Sequence, residues 1–192
     1  MARKYEFKPD KPRSNWISKL HMTQLQRASL LKWTLYCVLL LVLSVLQDVV
    51  LCQFRINGAT TELVPCAIFL ITIMEGSEKG SVFALISAAL YVFTGTPAGP
   101  YCLVYITALA IFVCIFRQGY LQKGFAAAML CVVFAMLVYE MAVFATGLFL
   151  GLTRLDRVTA FLTTAGLSLI AAPVLYPIIL FIGSLGGDSW KE

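Results

Sequence analysis

GSEKGSVFALISAALYVFTGTPAGPYCLVYITALAIFVCIFR, residues 76–117, decides the fold. Placed on a helix, Gly76, Gly80, Ala84 and Ala88 stand four apart and share one face. Small residues at that spacing let two helix backbones approach closely inside a bilayer, so this face reads as a helix-packing or partner-binding surface. Ser87 and Leu85 fall on other faces. The helix cannot continue through Thr94-Gly95-Thr96-Pro97-Ala98-Gly99-Pro100. Pro97 and Pro100 lack N–H groups, while Gly95 and Gly99 allow backbone angles that other residues avoid. A second apolar run, Tyr101 to Phe116, follows and ends at Arg117. The pattern predicts a tight hairpin of two membrane helices.

The remainder of the chain has the same character. Of 192 residues, 60% are hydrophobic and 13% charged, where soluble domains keep about a quarter charged. Long apolar runs joined by short polar segments predict one all-α polytopic membrane bundle and exclude an ordinary soluble domain. Six cysteines, Cys37, Cys52, Cys66, Cys102, Cys114 and Cys131, make no C-x-x-C pair. They suit neither a zinc site nor a disulfide framework, and read as small buried hydrophobes. His21 is the single histidine and has no partners for an ordinary metal site. No cofactor and no nucleic-acid partner is expected.

In chain order, residues 1–32 form a basic cytoplasmic leader holding Arg3, Lys4, Lys8, Lys11, Arg13, Lys19, Arg27 and Lys32. From Trp16 onward a loose apolar face suits an interfacial helix on an anionic leaflet, and a solvated tail suits the same residues. The apolar run that follows is too long for a cleavable signal and lacks a small-x-small cleavage site. The bundle spans 33–185, and a short tail, 186–192, closes the chain. Six helices are expected, at about 33–51, 62–75, 80–93, 101–116, 124–152 and 158–182. The second is shorter than the ~20 residues a span requires, so it is either a short span or partly re-entrant. Pro173 and Pro177 should break or bend the last. With six spans and an inner N-terminus, twelve of the 15 Lys and Arg lie inside; Arg55, Arg154 and Arg157 lie outside. That bias places both termini in the cytoplasm.

Glu140 lies inside the fifth helix, and a carboxylate at membrane depth suggests function by default. A neutral acid, a contact to a bundle tyrosine or threonine, and a partner or ligand contact all remain open for it. Asp48 and Glu62 fall near outer helix ends, where an interfacial position suits both. The chain contains no H-E-x-x-H, P-loop or G-x-S-x-G sequence and no histidine near a buried nucleophile, so no catalytic set is expected.

The order of residues in 76–117 resembles the MreD family of rod shape-determining membrane proteins. Their middle region reads G-x-x-x-G, a helix, S/T-G-x-x-x-G and an apolar helix. Gly76, Gly80, Thr94, Gly95 and Gly99 match it, and the resemblance runs on to Thr61-Glu62-Leu63 and the proline-containing last helix. Many members carry an aspartate where this chain has Tyr91. The resemblance implies a non-enzymatic component of the bacterial cell-elongation machinery in the cytoplasmic membrane. Its implied partners are membrane lipid, MreC and, through it, MreB, RodA and a penicillin-binding transpeptidase of peptidoglycan synthesis. It also implies a fold like the substrate-binding subunits of energy-coupling-factor vitamin transporters. Such a subunit is the alternative function, but residues 33–51 contain no Ala or Gly, and those subunits dock through Ala-x-x-x-Ala in their first helix.

Overall fold

The structure is a computed structural model that describes residues 24–53, 59–95, 99–120 and 124–185. Among the described residues, regular structure is helical, and six α-helices follow in order: α1 (Gln24–Val45), α2 (Leu63–Glu75), α3 (Ser77–Phe93), α4 (Tyr101–Tyr120), α5 (Phe125–Phe149) and α6 (Val158–Leu185). After Val45, α1 runs on through a π-helical turn, Leu46–Val50, and a 3-10 turn, Leu51–Gln53. Among the described residues, four helical stretches are long and apolar enough to cross a membrane: Arg27–Gln53, Tyr101–Gly119, Phe125–Phe149 and Leu155–Leu185. The protein is therefore a membrane helical bundle.

Helix α2 is its axis. Its 13 residues rise about 20 Å, short of the ~30 Å hydrocarbon core. Every residue from Leu63 to Met74 is buried. The sequence explains this directly: the run LVPCAIFLITIM has no polar face, and a helix apolar all round must be surrounded. Helix α2 touches each of the other five helices. Thr72, its one polar residue before Glu75, returns its hydroxyl proton to the Ile68 carbonyl at 2.8 Å.

Gly76 alone separates α2 from α3, at φ +90°, a conformation that favours glycine. It is thus the turn residue, and the helical small-residue stripe starts one step later, at Gly80. A Cβ on Gly80 would stand 2.7 Å from the Thr72 carbonyl oxygen. Ala84 and Ala88 are fully buried, so the stripe faces the interior of the bundle in this chain. Ser87, expected on another face, is buried as well, while Leu85 is exposed. Helices α3 and α4 share the most extensive helix–helix contact. Their joint begins where the Thr94 amide bonds the Leu90 carbonyl and ends where Gly99 and Pro100 carbonyls accept from Cys102 and Leu103. Gly95 has φ +76°; Pro97 lies outside the described residues.

Two boundaries differ from the sequence expectation. Helix α1 is already regular at Gln24, so Lys32 belongs to the bundle and not to a leader. Arg27 and Lys32 do not end it, because charged residues with long apolar stems sit well in a helix interior. The part of the leader before residue 24 lies outside the described residues. Helix α6 continues unbroken through Pro173 and Pro177, both on its exposed side. A bilayer helix tolerates proline because neighbouring groups re-satisfy the freed carbonyls.

Candidate functional site

A helix buried end to end must satisfy its terminal N–H and C=O groups without water. Helix α2 does so with side chains from its neighbours. At its N-terminus the Gln47 carbonyl oxygen accepts from the amides of Leu63 (2.9 Å) and Val64 (3.2 Å). The Glu62 amide donates to Ser168 Oγ on α6 at 2.8 Å. At its C-terminus Arg117 of α4 donates through Nη1 to the Ile73 carbonyl at 2.6 Å. A guanidinium there also faces the negative end of the helix dipole.

The C-terminal end carries a second device. Lys32 Nζ lies 2.8 Å from Glu75 Oε2, with side-chain exposures of 2% and 3%. Tyr36 donates its hydroxyl to Glu75 Oε1 at 2.8 Å. The rings of Trp33, Tyr36 and Phe83 close over this pair, with centroids 5.3 to 5.9 Å apart. The sequence places Lys32 in a basic cytoplasmic leader and Glu75 at a helix boundary. No local signal joins residues 43 positions apart.

The N-terminal end gathers a polar cluster from all six helices or their extensions. Gln47 donates through Nε2 to the Tyr91 hydroxyl of α3 at 3.0 Å. Tyr139 of α5 lies beside Glu62, and Cys102 of α4 beside Tyr139. Glu140 of α5 lies within reach of the Glu62 charge. Ser168 of α6 completes the set. Glu62 Oε2 and Glu140 Oε1 are fully buried and have no hydrogen-bond partner. The structure thus brings together two of the three acids singled out in the sequence. Glu62 turns one oxygen into the bundle instead of lying at a watered helix end. Asp48 remains apart, exposed in the π turn after α1. Gln47, Tyr91 and Tyr139 were not singled out as site residues. The available signal was Gln47 itself, an amide inside an otherwise apolar run.

A groove of about 1100 Å³ opens laterally between α1 and α3. Leu40, Leu41 and Val45 line one wall, Val82, Ile86 and Leu90 the other, and Val64 of α2 lies at its floor. Its lining is almost entirely apolar. Among the described residues no group of three or more His, Cys, Asp or Glu side chains could hold a metal ion. Comparison with protein-family models, curated proteins and solved structures found no match.

Proposed function

We propose that the chain is a non-enzymatic membrane component of the bacterial cell-elongation machinery, docking partner proteins through its helices. The resemblance of 76–117 to MreD proteins motivates the reading, and the lateral groove is the observation that carries it. A wall of apolar side chains between α1 and α3, running from Lys79 at one end to Thr94 at the other, offers surface to a transmembrane partner of MreC type. Fifteen helical steps at 1.5 Å make this about 22 Å, most of a bilayer core. Because lipid gives helices no hydrophobic incentive to associate, shape-matched van der Waals packing along such a wall must supply the affinity. Both termini would lie in the cytoplasm, and the basic leader would face cytoplasmic partners or the anionic leaflet.

The test is affinity capture of the tagged chain from mild detergent. MreC-like and RodA-like proteins should co-purify, and Val82→Trp with Ile86→Trp in the groove should reduce their recovery without lowering the chain's thermal stability. Capture of transporter ATPases instead would establish the vitamin-transporter alternative and overturn the scaffold reading.

A further inference from the structure

We propose that, given the docking role proposed above, the α1–α3 groove seats one transmembrane helix of another protein, half embedded, with a Lys or Arg of that helix meeting Asp48. The size of the groove points to a single helix. It runs about 22 Å from Lys79 to Thr94 and holds about 1100 Å³. A helix about 10–12 Å across and about 22 Å long fills about 1700–2500 Å³, so a groove that embraces half of it needs about 900–1200 Å³. The two walls are joined near both ends. The Trp33 and Phe83 rings meet at 5.3 Å, and Gln47 bonds Tyr91 at 3.0 Å. The seat therefore exists before anything enters it, and its occupant has little ordering left to bring about. Between the joints the side chains of Leu41, Val82 and Leu90 are exposed.

Charge selects the occupant. Glu78 and Lys79 line one end of the groove together, where their charges offset, and Asp48 lines the other. The π turn that sends Gln47 to the N-terminus of α2 also presents Asp48 here. A carboxylate accepts up to about four hydrogen bonds, so Asp48 has capacity for an incoming cation whatever else it meets. Its charge attracts a Lys or Arg flanking a transmembrane helix and repels a lipid phosphate. Residues 1–23, 54–58, 96–98, 121–123 and 186–192 lie outside the described residues. The first stretch carries Arg3, Lys4, Lys8, Lys11, Arg13 and Lys19, and the others are at most seven residues long. None of them supplies an apolar helix of this length. A second copy seated on the same groove fails on shape. A two-fold dimer sets one patch against itself, and two concave faces leave the space between them unfilled.

The test is photocrosslinking in intact cells, with benzoylphenylalanine in place of Leu41, Val82 or Leu90 and, as control, in place of exposed Ile170 on α6. Mass spectrometry of the joined peptides identifies what was reached. All three groove positions should link to the same transmembrane segment of another protein. Its Lys or Arg should lie toward the part linked from position 90, not the part linked from position 82. Asp48→Lys should cut the yield at least about threefold, since an ion pair is exchanged for a repulsion, and links from position 170 should not change. Asp48→Asn keeps the shape and should lower the yield in the same direction, which decides the matter if Asp48→Lys fails to accumulate. Adducts to lipid alone, links to a second copy of this chain, links to many unrelated helices, or an Asp48→Lys yield equal to the parent's overturn the proposal. A single basic-flanked helix from outside the cell-elongation machinery leaves the seat standing and removes the proposed function. Recovery of MreC-like proteins through other faces, with the groove positions linked to lipid alone, does the reverse.

Discussion

Lys32→Met removes the cation from an enclosed ion pair and leaves its carboxylate in place. Lys32 and Glu75 are 2% and 3% exposed at the side chain and 2.8 Å apart, so neither partner has water to turn to. Breaking a buried pair by deleting one member costs about 3–5 kcal/mol, because the remaining charge stays desolvated. Tyr36 still donates to Glu75, and one hydrogen bond to a charged group returns about 1.5–3 kcal/mol at most. That bond is present in the parent too, so it sets no discount on the difference. For a chain of this length ~1 kcal/mol moves the melting temperature by about 2–4 °C, so the loss should be about 6–20 °C. The assay is thermal unfolding in one detergent, followed by intrinsic fluorescence. The double variant Lys32→Met/Glu75→Leu should recover at least half of the loss, since an apolar pair of similar volume substitutes well for a buried ion pair. If Lys32→Met melts within about 2 °C of the parent, or the double variant is worse than the single, the pair is not desolvated and the anchoring of α1 to α2 must be sought elsewhere.

Two further outcomes follow from the packing of α2, and a third from the proposed topology. Gly80→Leu and Ala84→Leu force side chains into the α2–α3 contact and should each cost about 1–3 kcal/mol, whereas exposed Leu85→Ile should leave melting unchanged. Gln47→Leu orphans the Leu63 and Val64 amides at about 1–3 kcal/mol each, and thermal unfolding beside Gln47→Glu, which keeps the acceptor, separates this from a packing effect. A reporter fused after Glu192 should be active only in the cytoplasm, and activity on the far side of the membrane would eliminate the six-span topology.

What could be read from the chain was the part written in local pattern. Apolar runs located all six helices, and the Gly-Pro segment located the α3–α4 joint, because length and backbone permissiveness are properties of neighbours in sequence. The uniformly apolar run before Glu75 was legible as short, but its place at the centre depended on five helices closing round it. The polar contacts were less legible still. Glu62 and Glu140 each looked like an isolated acid, and Lys32 looked like one more charge of a basic leader, since an unsigned, long-range meeting leaves no periodicity. Tyr91 drew attention only as a departure from the aspartate that many MreD proteins carry there; its hydroxyl accepts from Gln47, beside the N-terminus of α2.

The way α2 is capped also sets an order on biogenesis. A ribosome delivers Gln47 before the short helix, but Arg117 emerges later and Ser168 trails Glu62 by 106 residues. Until α6 has left the translocation channel, the amide of Glu62 has no hydroxyl to meet, and α2 has only part of its final enclosure. A nascent chain halted before residue 168 should therefore hold α2 in an unfinished state, open to quality-control proteases. Release of the last helix, rather than insertion of the first, is then the step that commits the newly made protein to its final form.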